Sequence, residues 1–271
     1  MKQERAGHVR PPAQAGRFYS ADPQRLRREV GQLLAAAVPG GRPAPKAVIA
    51  PHAGYIYSGP VAASAHAVFR VEADRIRRVI LMGPAHWVDF KGVAAASATA
   101  FATPLGAVPV DEELVSLLVR EAGVHYLDSA HAPEHSLEVH LPFLQLVLQG
   151  FSVVPLLVGR AAVEEVAQVL EASWDGRSTR LVISSDLSHY LDHANARARD
   201  AATAAQIKAL SGDALTGDDA CGYRAVRGLL EVARRRGLSC RVLDLRNSGD
   251  IAGGRHRVVG YGAFAIDEND G

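Results

Sequence analysis

Six stretches of nearly unbroken apolar residues punctuate the chain: Lys46–Ala50, Arg78–Met82, Phe151–Val158, Arg180–Ser184, Arg241–Leu245 and Val258–Ile266. Runs of this length, rich in Val, Ile and Leu, are the mark of strands covered on both faces. Between them lie stretches with helical spacing. The pattern predicts helices over Gln24–Ala36, Pro60–Phe69, Asp111–Glu121, Ser136–Gln149, Ala162–Trp174, Ala194–Leu210 and Asp219–Arg236. Strands alternating with helices give an α/β fold: a central sheet, mostly parallel or mixed, with helices on both faces. Gly92–Thr103 reads as an added strand or hairpin. The breakers Pro39, Gly40, Gly41 and Pro43 close the first helix rather than divide the chain, so residues 1–271 are expected to form one domain.

Three of the predicted strands hand over to a histidine within a few residues. The first leads to Pro51-His52-Ala53-Gly54, the second to Gly83-Pro84-Ala85-His86-Trp87, and the Arg180–Ser184 run to Ser185-Asp186-Leu187-Ser188-His189. The carboxyl ends of parallel strands share one edge, where α/β sheets bind their ligands. If these strands are parallel, His52, His86 and His189 meet there. Imidazole is the commonest metal ligand and the natural acid or base near neutral pH.

A second cluster runs from His131 to Phe143. On a helix over Ser136–Gln149, Ser136 is a good N-cap. His135 and Glu138, three residues apart, share a face. They are expected to orient ligands through hydrogen bonds, while His131, His140 and His193 are expected at the surface or in structural roles. Cys221 precedes a helix ending in Arg234-Arg235-Arg236. A helix N-terminus lowers a thiol's pKa, and thiolate is both a nucleophile and a soft ligand. The alternative is a small buried apolar residue, the reading that fits Cys240. Tyr55, Tyr57 and Trp87 are placed to line a substrate pocket at the same edge.

Composition narrows the field further. Of 271 residues, 30 are basic and 29 acidic, a net charge of +1 that favours neither nucleic acid nor an anionic membrane as partner. Two cysteines exclude a disulfide framework and fit a reducing, cytoplasmic setting. No apolar run reaches membrane-spanning length, and the stretch over 1–16 has no apolar core of a signal peptide.

Taken together, Arg10-Pro11-Pro12-Ala13-Gln14-Ala15-Gly16-Arg17-Phe18-Tyr19, PHAGYIYSGP from Pro51, GPAHW from Gly83, EHSLEVHLPFLQ from Glu134, SSDLSHY from Ser184, Cys221-Gly222, NSGD from Asn247 and VVGYGAF from Val258 resemble the Memo family. In prokaryotes its members are also known as protein B of the AmmeMemoRadiSam system. The resemblance implies a fold related to class III extradiol dioxygenases. It implies a metal, iron(II) before copper and zinc last, on His52, His86 and Cys221, with His189 as acid–base group and Asp186 beside it. It also implies the radical-SAM and protein A components of that system as partners. The dioxygenases complete their iron site with a carboxylate; a cysteine in that place softens the site, so ring cleavage does not carry over. Three functions follow as expectations. The first is a non-haem iron redox enzyme. The second is a non-catalytic module binding metal, a small molecule or a peptide in the strand-end pocket. The third is thiol chemistry on Cys221 without metal.

Overall fold

Ala47–Ala50, Thr179–Ser184, Arg78–Pro84 and Ser152–Val158 lie side by side in that order, all parallel. Every residue of the first two is buried, as their unbroken apolar runs require. These strands belong to a computed structural model that describes residues 8–37 and 42–268. Pro39, Gly40 and Gly41 lie outside the described residues, as does the beginning of the 1–16 stretch.

Antiparallel strands extend the sheet at both ends. Val258–Asp267 pairs with Ala47–Ala50 and, at its start, with the short His189–Leu191, and Ser239–Asn247 pairs along its length. At the far end Val93–Ala95 runs antiparallel to Ser152–Val158 and is joined by His125–Tyr126. The result is a mixed sheet of nine strands. Gly92–Thr103 is not one hairpin. Its second half, Ala100–Thr103, pairs with Gly106–Pro109 and Val9–Arg10 in a separate three-stranded sheet.

Helices flank the sheet in two groups. Pro23–Ala36, Tyr55–Ala67 and Leu141–Val147 pack on one another, and Val163–Ala172 packs on Tyr223–Arg235. Asp22, Asp111 and Asp192 cap their helices by accepting backbone N–H bonds, which fixes those starts within a residue or two of the expected ones.

Two helices depart from the sequence reading. Pro60 was expected at a first turn, where its missing N–H costs nothing; the helix instead starts at Tyr55 and carries Pro60 inside it. The stretch from Ser136 is not one helix. A turn leads into a 3₁₀ segment at Glu138–His140 and then the α-helix Leu141–Val147. Ser136 does not cap it, because its hydroxyl donates to the Pro84 carbonyl at 2.8 Å. Among the described residues no helix is long and apolar enough to cross a membrane.

Candidate metal centre

Strand register brings the site together. Ala50 pairs with Ser184 and Met82 with Ile183, so three strands end at one level. The chain leaves the first strand through Pro51-His52 and the adjacent one through Ser185-Asp186. At that exit the His52 N–H donates to Asp186 Oδ1 at 2.8 Å. Gly83 permits the close approach: a Cβ there would lie 3.0 Å from the Ser184 Cβ and 3.1 Å from the Ser136 hydroxyl.

The rings of His52, His86 and His135 cluster at this edge. Their centroids are 4.6 Å apart for His86 and His135, 5.1 Å for His52 and His86, and 5.3 Å for His52 and His135. One nitrogen from each falls within 4.8 Å of the others. Among the described residues this is the grouping of three or more histidine, cysteine or acidic side chains able to hold an ion. It contains His135 where the sequence reading had Cys221.

Cys221 is nevertheless adjacent, its sulfur 3.3 Å from His52 Nε2. It is held there by the Asp186 N–H, which donates to the sulfur at 3.3 Å, and by Gly222 behind it. A Cβ on Gly222 would stand 2.4 Å from the Ser184 carbonyl oxygen, so only glycine fits. The helix begins at Tyr223, two residues past the cysteine. Its N-terminus does not lower the thiol's pKa as expected: burial, then the Asp186 carboxylate, push it up.

Burial drives the imidazoles the other way. It holds His52 well below the usual histidine range, helped by repulsion from His86 and His135, and brings His135 to about 4 against the pull of Glu134. Neutral imidazoles are the form that ligates metal. His135 Nδ1 is buried with no hydrogen bond, 3.2 Å from Glu134 Oε1 but poorly aligned with it. Three imidazoles whose nitrogens approach within 4.8 Å of one another are a donor set that suits iron, copper or zinc.

Glu134 does what Glu138 was expected to do. Its carboxylate accepts from His86 Nδ1 at 2.9 Å, the His86 backbone at 2.6 Å, and the backbones of His135 and Ser136 at 2.9 Å. Burial raises its pKa, but these bonds and the charge of His86 win and hold it at about 2. Holding His86 through Nδ1 leaves Nε2 for a ligand. Glu138 instead sits at 0% exposure and receives Arg10, the Ala13 and Gln14 backbones and the Tyr19 hydroxyl. It pins residues 10–19, which carry Phe18 against the His135 ring at 4.9 Å. The expected shared face of His135 and Glu138 fails because the chain between them is a turn.

A cavity of about 800 Å³ opens over the three histidines, lined further by Phe18, Asp186, His189, Tyr190 and Cys221. Its size suits a small organic molecule. Burial lowers the pKa of His189 and raises that of Asp186 to about 7. Of the expected pocket aromatics, none lines this cavity. Tyr55 is buried with its hydroxyl on the Val139 carbonyl at 2.6 Å, Tyr57 is half-exposed, and Trp87 borders a smaller neighbouring pocket that shares His86 and Cys221. His131 and His140 are buried rather than superficial, and His193 meets Asp250 at 2.7 Å.

The model of the Memo-like protein family matches residues 10–265. A MEMO1 family protein of Methanothermobacter thermautotrophicus is 37% identical over 93% of this chain and 98% of its own length. Those of Methanopyrus kandleri and Sulfolobus acidocaldarius are 35% and 34% identical, over 95% and 93% of this chain and 98% and 97% of their own lengths. With its motifs spread over the same span, the chain belongs to the Memo-like family.

Proposed function

We propose that this protein binds a redox-active metal, iron(II) before copper, on His52, His86 and His135, with Cys221 beside the ion and substrate entering through the cavity above. The observation that carries the reading is the three-imidazole cluster, whose nitrogens lie within 4.8 Å of one another under an open cavity. Such an ion would supply an open coordination position and one-electron chemistry. The chain's own residues supply the rest. Asp186 holds the His52 backbone, Glu134 holds His86, and His189 lines the cavity where a substrate proton can be taken or returned.

The test is metal analysis of anaerobically purified protein, followed by cobalt(II) titration of the metal-free wild type, His135→Ala and Cys221→Ser. One equivalent of transition metal is expected, with affinity reduced about 100-fold or more in His135→Ala and less than about tenfold in Cys221→Ser, since a lost ligand costs more than a lost neighbour. The reverse order would give the third position to Cys221. No bound metal in any preparation would end the metal reading.

A further inference from the structure

Ser184 Oγ has three polar neighbours: the Ser136 carbonyl oxygen at 2.6 Å, His52 Nδ1 at 2.6 Å and His140 Nε2 at 2.9 Å. A hydroxyl owns one proton and two lone pairs. A carbonyl only accepts, so the single proton of Ser184 goes to Ser136. Both lone pairs then face imidazole nitrogens, and each of those nitrogens must carry a proton. The count leaves one solution: His52 is protonated on Nδ1 and His140 on Nε2.

We infer that Ser184 and His140 together are the positioning device that fixes the tautomer of His52 and so presents a bare Nε2 lone pair to the metal cluster. His140 does not touch the cavity and acts only through Ser184. Its fixed tautomer leaves Nδ1 as a lone pair, and that atom is buried without a partner. Next to it, His66 donates Nδ1–H to the Ala62 carbonyl at 2.7 Å, which leaves its buried Nε2 likewise bare. The His66 ring lies 5.2 Å from His140 and stacks on Phe143, also at 5.2 Å. His140 is thereby walled in, with no competing acceptor to draw its Nε2 proton away from Ser184. Two fully buried histidines that no cavity exposes thus gain a role: they set the protonation pattern of a third.

The tautomer assignment stands without the metal reading; the effect on metal affinity rests on it. Long-range ¹H–¹⁵N correlation spectra of the metal-free protein test the first part. His52 should carry its proton on Nδ1, His140 on Nε2 and His66 on Nδ1. In Ser184→Ala, His52 should lose its single tautomer, and in His140→Phe it should retain it with a weaker preference. A wild-type His52 protonated on Nε2, or a Ser184→Ala spectrum with the His52 tautomer unchanged, would overturn the inference. The wild-type spectrum decides even if the variants fold poorly. Cobalt(II) titration tests the second part: Ser184→Ala should bind about 10–100-fold more weakly. Correct tautomers together with unchanged affinity would overturn the positioning role. Correct tautomers in a protein that binds no metal would leave the network intact and remove the metal reading instead.

Discussion

Replacing Glu138 with Gln puts the sharpest number on this structure. The carboxylate is fully buried, and each oxygen serves two donors: Arg10 and the Ala13 N–H on Oε2, the Gln14 N–H and the Tyr19 hydroxyl on Oε1. Whichever way a glutamine amide turns, its NH₂ faces two donors. Each buried donor left without an acceptor costs about 1–3 kcal/mol. Arg10, itself 4% exposed, also loses its counter-charge, although the His131 and Glu134 carbonyls still receive it at 2.9 and 2.6 Å. Breaking a buried ion pair from one side costs about 3–5 kcal/mol, a figure that already contains most of the donor penalty. We therefore expect about 4 kcal/mol of lost stability, which at roughly 2–4 °C per kcal/mol lowers Tm on the order of 10 °C. Urea unfolding gives the free energy, and limited proteolysis should show cleavage shift into residues 10–19. A loss under about 1 kcal/mol with the m-value unchanged would refute the reasoning, because the segment would then be held by something other than Glu138.

Glu134→Gln should weaken cobalt(II) binding about 10–100-fold by disorienting His86, as read by titration of the folded protein. Gly222→Ala must move the Ser184 carbonyl or the Cys221 turn, since its Cβ would sit 2.4 Å from that oxygen; a loss of at least about 2 kcal/mol in urea unfolding is expected. Lys46, 2% exposed and bonded to the carbonyls of Asp175 and Gly176, is pushed by burial down to about 8. Its folded pKa lies below the unfolded value of 10.5, so the folded state sheds this proton first and the cost of burying the charge is relieved as pH rises from about 8 to 10.5. The stability of the wild type relative to Lys46→Met should therefore climb across that window by up to about 1.4 kcal/mol per pH unit, measured by urea unfolding at several pH values; a flat or falling difference would contradict it.

The layout of the sheet was legible because buried strands write themselves as apolar runs, and the edge where His52, His86 and His189 emerge followed from the parallel arrangement. The residues that hold those histidines were harder to read. Ser184 ends a strand in which every residue is buried, and its hydroxyl signals nothing until the register sets it between Ser136, His52 and His140. Glu134 differs from Glu138 only in local backbone. Helical spacing singled out Glu138, and the turn before Glu138–His140 gave the task to Glu134. A clue was present: an acid immediately before His135 in a Pro-led turn, where side chains bond nearby backbone amides. The thiol of Cys221 misled for the opposite reason, because proximity to a helix start is visible in sequence while the burial that outweighs it is not.

The histidine cluster draws on positions 52, 86 and 135 and leans on 184, 186 and 221, so it is assembled from across most of the chain. Parallel neighbours such as Ala47–Ala50 and Thr179–Ser184 meet only after more than a hundred intervening residues have been placed, the kind of distant pairing that closes late in folding. No excised hairpin or terminal fragment can retain the cluster. An ion bound there would have no affinity for partly assembled chains and would act on the whole unfolding equilibrium at once, adding about 2.7 kcal/mol when free metal stands at a hundred times its Kd. Metal supply would then govern how long each copy of the protein survives, as well as what it can do.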